Sequence, residues 1–219
     1  MNRFQPLLNW LVTLMVPFFL IMTTIRLLIS PVFPEIEYHT PNFPSDLYGF
    51  TLEDRLYWSK ISINYLVNSE PISFLADQQL PDGSSLYNER ELRHMLDVKI
   101  LVQHMLTAWY VLGAALLGLG LWAWAKKWRT QFWLAVSNGG WLTLGLVFAI
   151  LLGVALSFNA LFTDFHRIFF TGDTWLFEYS DSLIRLFPMR FWQDAFIAMG
   201  GLTLLGGLLA GILGRRLAR

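Results

Sequence analysis

Long apolar runs alternate along the chain with polar, aromatic-rich stretches, and four of the runs extend over about residues 7–30, 100–124, 132–157 and 195–214. A hydrocarbon core of about 30 Å takes about 20 helical residues to cross, so each run predicts one transmembrane helix. The pattern predicts an all-α membrane protein with four transmembrane helices, forming a single integral membrane domain over residues 1–219. Two stretches, 31–99 and 158–194, then stand outside the membrane and are expected to hold short interfacial helices.

Within the polar stretches the pattern is finer. PVFPEIEYHTPNFPSDLYGF carries four prolines, which predicts irregular chain lying on the membrane surface. TLEDRLYWSKISINYLV predicts a short helix, because Thr51 and Asp54 have capping-pair spacing and Leu52, Leu56, Ile63 and Leu66 recur at near-helical intervals. Its apolar face is expected on the lipid interface or on the bundle. After the turn PDGSS, Asn88 and Glu91 form a second cap, and helical periodicity runs unbroken from NERELRHMLDVK into the second span. In the later stretch Phe158, Phe162, Phe165 and Phe169 recur at steps of four, three and four, a stripe suited to lipid or acyl chains. Interfacial aromatics are also expected with no chemical role. Asn159, His166 and Asp173 share a neighbouring face, and Pro188 suits the start of the helix leading into the fourth span.

Charge orients this layout. The net charge is zero, yet all 16 Asp and Glu lie within 31–99 and 158–194. The other exposed pieces are basic: Arg3; Lys126, Lys127 and Arg129; and Arg215, Arg216 and Arg219. Lys and Arg mark the cytoplasmic side, so both termini are expected inside and both acidic stretches outside. The first span reads as an uncleaved anchor, since its apolar run exceeds a signal core and no small-residue cleavage site follows. Cysteine is absent, which excludes disulfides and thiol chemistry. Within the spans, Gly207 and Gly211, Ala114 and Gly118, and the pair Gly139–Gly140 suit close helix packing. Pro17 is placed to kink the first helix, and Arg26 to reach a headgroup or another anionic group.

All four histidines, 39, 94, 104 and 166, fall on the acidic side or in the near half of the second span. Arg90, His94, Asp97, Leu101 and His104 fall on one helix face, a polar stripe entering the membrane. Intramembrane polar groups usually face a bundle interior and mark function, although His94 and Asp97 pairing near the water boundary explains the stripe equally well. Histidine takes and returns protons near neutrality, as acyl transfer requires. Neither GxSxG nor HExxH occurs, and His94, Asp97 and His166 would make at most an incomplete zinc site. Metal-free acid–base work by two imidazoles is the sharper reading. Asp97 or Asp173 would orient one ring, and Arg90, Arg93 or Arg167 would bind phosphate or steady an oxyanion.

The blocks YGFTLEDRLYWSKISINYL, ERELRHMLDVK and FTDFHRIFFTGDTWLF, followed by LIRLFP and FW, resemble the bacterial lipoprotein intramolecular transacylases over nearly the whole chain. RHMLDVK and FHRIFF…GDTWLF are the specific part. The resemblance implies an enzyme that moves the sn-2 acyl chain of an S-diacylglyceryl-cysteine to the α-amino group of the same cysteine. The product is an N-acyl, S-monoacylglyceryl lipoprotein. It also implies His94 and His166 as catalytic residues; the aromatic residues Phe162, Phe165, Phe169 and Trp175 are then read as holding the acyl chains. No cofactor or metal is expected. The expected partners are a diacylglyceryl lipoprotein and membrane phospholipids, without nucleic acid, and the chain is expected as a monomer in the bacterial cytoplasmic membrane with an extracytoplasmic active site. The remaining readings are a lipid hydrolase at the same site and a non-enzymatic transporter or assembly factor, although no inverted repeat is evident.

Overall fold

A computed structural model describes residues 5–219; Arg3, one of the orienting basic residues, lies outside the described residues. Eight helices make up the described chain: α1 (Gln5–Leu28), α2 (Val32–Glu37), α3 (Leu52–Val67), α4 (Ser73–Ala76), α5 (Glu89–Ala125), α6 (Arg129–Phe169), α7 (Ser182–Leu186) and α8 (Met189–Leu217). The protein is all-α, and among the described residues the sole β pairing is an isolated bridge between Gln79 and Ser85. Helices α1, α5, α6 and α8 are long and apolar enough to cross a membrane.

Three of these helices, α5, α6 and α8, overrun the apolar runs that predicted them. At about 1.5 Å per residue, the 37 residues of α5 reach about 55 Å, well beyond a ~30 Å hydrocarbon core. The part preceding Ile100 is amphipathic helix that continues the span. Helix α6 has 41 residues and is interrupted at Ser157, whose backbone (φ −162°, ψ 87°) is not helical. Ser157 Oγ accepts from the Ala160 amide at 3.4 Å, a cap for the helical piece that follows. The apolar run thus ends where the helix breaks, and residues 158–169 form a separate amphipathic extension.

Two compact units divide the chain. The first comprises the chain up to Arg26 with Met105–Leu156 and Phe196–Arg219. Its surface is inverted relative to a soluble protein: Trp10, Phe18, Tyr110, Trp124, Phe148 and Leu205 are exposed, whereas Thr13, Ser137, Thr143 and Thr203 are buried. Of these hydroxyls, Thr13 and Ser137 bond across helices, to the Ala135 carbonyl (3.1 Å) and the Gly211 carbonyl (2.7 Å), whereas Thr143 bonds the Gly139 carbonyl of its own helix. A Cβ on Gly140 would collide with backbone atoms of Gly207 and Gly211, so the predicted GxxxG is a contact between α6 and α8. Gly118, by contrast, faces open space, and its pairing with Ala114 marks no close approach.

The second unit, Leu27–His104 with Ser157–Ala195, has a core built like that of a soluble domain. Tyr38, Trp58, Tyr65, Leu75, Leu186 and Phe191 are among its buried members. Helix α3 starts with the predicted reciprocal cap: Thr51 Oγ1 accepts from the Asp54 amide (3.1 Å), and Asp54 Oδ2 accepts from the Thr51 amide (2.9 Å). It packs against α2, α4 and α7, with Leu56, Ile63 and Leu66 turned to the core but Leu52 exposed. The proline-rich segment before it includes helix α2, because prolines 31 and 34 sit at its first turn where a missing amide costs nothing.

Candidate functional site

Three elements of the second unit position the histidines. Helix α5 begins with Asn88 Oδ1 accepting from the Glu91 amide (3.0 Å) and Glu91 Oε2 accepting from the Asn88 amide (2.8 Å). The other carboxylate oxygen of Glu91 accepts from the Leu183 amide at 2.7 Å, which ties this end of α5 to α7. Burial pushes the Glu91 carboxyl up to about 7, against the lowering effect of the amides of Asn88 and Leu183. His94 lies one turn further on, so the anchored cap fixes its azimuth.

The extension of α6 supplies His166, one turn from its end, and the chain then leaves the helix, with Gly172 at φ +69°. The segment 170–181 returns to α5, where Arg90 donates to the Leu176 carbonyl at 3.0 Å. His94 and His166 are each 8% exposed, and their rings stack with centroids 6.0 Å apart and planes 20° apart. Aromatic side chains enclose them. Phe170 and Phe177 meet His94 edge-on at 5.0 and 5.3 Å. Phe162 and Trp175 lie 4.2 and 4.9 Å from the His166 ring, with Phe165 at 5.5 Å.

The two rings differ in their hydrogen bonds. His166 Nδ1 lies 2.7 Å from the Phe162 carbonyl. A carbonyl only accepts, so Nδ1 carries the proton and the Nε2 lone pair is available. His94 Nδ1 is buried without a partner among the described residues, although Asp97 is only three positions away. Burial depresses His94 to about 4, with a smaller contribution from His166, and it also lowers His166, against the opposing effect of the Phe162 carbonyl. Both imidazoles are therefore neutral at neutral pH. Two further buried polar atoms without partners, Thr174 Oγ1 and Trp175 Nε1, belong to the returning segment. Unpaired buried polar groups in a native fold call for an explanation, and a catalytic role is among the recognised ones.

The other residues singled out from the sequence are placed differently. Asp97 is partly buried but leaves His94 Nδ1 unpaired. Asp173 is exposed and falls after the end of α6, so it does not share a helix face with Asn159 and His166. Arg93 is exposed, Arg167 forms a solvent-facing pair with Asp164 at 3.9 Å, and Arg90 is engaged with the Leu176 carbonyl. Phe169 is half-exposed and touches Phe165 at 4.8 Å between centroids, with the ring planes tilted by 46°. His104 is exposed, and His39, just past the end of α2, bonds the Glu35 carbonyl of that helix through Nδ1. Phe170, Phe177 and Thr174 were not singled out by sequence reasoning, since nothing periodic marks them.

A profile described as "Lipoprotein intramolecular transacylase Lit" matches residues 10–192. An uncharacterized protein of Aquifex aeolicus is 28% identical over 215 residues, covering 97% of this chain and 96% of its own length. The structure of the membrane integral lipoprotein intramolecular transacylase Lit from Bacillus cereus superposes with a TM-score of 0.83 at 23% identity, over 99% of this chain and 97% of that one. A variant of the same B. cereus protein with one histidine replaced by arginine gives a TM-score of 0.71 at 24% identity, covering 98% and 93% of the two chains. At these identities the superpositions establish a shared fold.

Proposed function

The chain belongs to the lipoprotein intramolecular transacylase family, and from that premise we propose that it moves the sn-2 acyl chain of an S-diacylglyceryl-cysteine to the α-amino group of the same cysteine. The observation that carries the chemistry is the stacked pair of buried neutral imidazoles, one with its tautomer fixed by the Phe162 carbonyl.

The α-ammonium first gives one proton to solvent, and as the free amine attacks, His166 Nε2 takes a further proton from its nitrogen. The amine has an ordinary pKa near 8, so at neutral pH a minor fraction is unprotonated and competent to attack, and the base is needed for the proton its nitrogen sheds on addition. Nitrogen adds to the sn-2 ester carbonyl, forming the C–N bond and a tetrahedral oxyanion. The C–O bond to glycerol then breaks, and the proton held by the imidazole passes to the departing oxygen. The products are an amide and a free 2-hydroxyl: one proton of the original ammonium goes to solvent, one passes through the imidazole to the hydroxyl, and the acyl group moves without an external reactant. His94 lies beside the reacting centre as a second hydrogen-bonding imidazole. The Trp175 indole N–H is the donor for the carbonyl oxygen, in place of the arginines, whose heads are engaged or exposed. Amine and ester belong to one molecule, so holding them in contact supplies much of the acceleration. Phe162, Phe165 and Phe169 line the acyl path, with Phe170 and Phe177 excluding water from the imidazoles. The acidic side of the chain, which carries this site, is extracytoplasmic by its charge distribution.

The test is mass spectrometry of the N-terminal lipopeptide of one lipoprotein, co-expressed with the parent or with His94→Ala and His166→Ala in a host that makes only diacylglyceryl lipoprotein. The parent is expected to relocate one acyl chain to the amine, and both variants are expected to leave the lipopeptide unchanged. Loss of an acyl chain without N-acylation would make the protein a hydrolase instead.

A further inference from the structure

A second polar site lies in the same unit, lined by residues that the histidine pair does not use. Arg55, on α3, is 4% exposed and yet has no carboxylate of its own. One terminal nitrogen donates to the Pro44 carbonyl at 2.8 Å, and the guanidinium lies 4.6 Å from the Tyr38 ring centroid and 5.0 Å from that of Phe43. Arg55 Nε is buried without a partner among the described residues. Burying a guanidinium is expensive unless its donors are satisfied, so an unfilled donor in such a place indicates a missing acceptor.

The acceptor is not Asp46. That carboxylate already receives two nitrogens of Arg185, at 3.0 and 3.2 Å, and the amides of Tyr48 and Phe50, at 3.1 and 2.7 Å. Arg55, Asp46 and Arg185 line one cavity of about 380 Å³, and Asp46 is the sole acidic residue in its lining. The cavity therefore carries an excess positive charge, belonging to the buried Arg55. Its rim is apolar and aromatic: Leu47 is 90% exposed, Tyr179 81% exposed, and Tyr48 about half. A free ion gains nothing from such a rim, whereas an amphiphile places its phosphate inside and its apolar part against leucine and tyrosine.

We propose that this cavity binds the phosphate of a membrane phospholipid, with the Arg55 guanidinium as the principal donor group. It is separate from the transacylation chemistry, whose substrate lipid carries no phosphate.

The full chain, solubilised in a maltoside detergent, is followed by thermal unfolding with dihexanoyl phosphatidylglycerol, dihexanoylglycerol or inorganic phosphate added. Ligands that bind the native state raise Tm by mass action. The phosphatidylglycerol is expected to raise Tm, and the other two to leave it unchanged at equal concentration. An equal rise with dihexanoylglycerol would show purely apolar binding, and an equal rise with inorganic phosphate would assign the cavity to a free ion; either overturns the proposal. So does the absence of any rise together with a native mass spectrum that retains no phospholipid. Arg55→Met is expected to weaken the apparent affinity at least about tenfold; where it does not fold, Arg55→Lys, which lacks the planar fork, is read in its place. His166→Asn is expected to keep the full response, since loss there would place the lipid at the histidine pair. Lipopeptide acylation is a separate readout, so failure of the phosphate site leaves the transacylase reading untouched.

Discussion

Replacing His166 by asparagine separates the chemical role of its ring from its structural one. The asparagine amide occupies roughly the position of Nδ1, so the bond to the Phe162 carbonyl, 2.7 Å in the parent, survives. What disappears is the far half of the ring with Nε2 and its contacts to Phe162 and Trp175, at 4.2 and 4.9 Å. Removing a few buried atoms while keeping the hydrogen bond costs about 1–2 kcal/mol of stability. A general base contributes about 10²- to 10⁴-fold in rate, equivalent to about 2.7–5.4 kcal/mol of barrier. The variant should therefore remain folded, with a Tm a few degrees below the parent, and lose at least about a hundredfold in initial rate of N-acylation. The rate is read by mass spectrometry of the lipopeptide, and the Tm by intrinsic fluorescence in detergent. His166→Ala, which also loses the carbonyl bond, should be the less stable of the two without being much slower. A folded His166→Asn enzyme within about tenfold of the parent rate would refute the assignment of Nε2 as the base.

Three other outcomes are expected. Trp175→Phe keeps an aromatic ring against His166 but removes the unpaired indole N–H, so the rate should fall about 10²-fold with little change in KM; an unaltered rate would remove Trp175 from the reaction. Because burial depresses His94 to about 4, the stability it contributes is present above 6.5 and is lost as the pH falls towards 4. His94→Phe should flatten the fall of Tm over that window by up to about 3 kcal/mol in integrated stability, and a curve parallel to the parent's would contradict the burial argument. Gly140→Val forces α6 from α8 and should cost about 1–3 kcal/mol or more, whereas Gly118→Ala, facing open space, should leave Tm within about a degree or raise it slightly. Equal losses for the two glycines, measured in the same detergent, would mean that the α6–α8 contact is not what Gly140 serves.

Much of the fold was legible because it is encoded locally. Span length follows from apolar run length, the caps at Thr51 and Asn88 from residues three positions apart, and the continuity of α5 from an unbroken helical period. The two histidines stood out by residue type and position, and the family resemblance drew on the blocks that contain them. Their surroundings were not legible in the same way. A stripe of phenylalanines at helical spacing predicts one face, but it does not show that Phe170 and Phe177, beyond the helix end, close over His94. Arg90, Arg93 and Arg167 had suitable charge and spacing, yet one reaches a carbonyl 86 residues away and the others are exposed.

The sequence by itself determined the membrane class, the four spans, the segregation of charge and the helix starts, since each depends on neighbours within one or two turns. The tertiary structure decided which polar groups would be left without partners. His94 Nδ1, Trp175 Nε1 and Arg55 Nε are exceptional only because the chain around them is folded. Burial and the loss of hydrogen-bond partners depend on segments that meet across long stretches of sequence, as when Glu91 accepts the amide of Leu183, and no local period records which segments will meet.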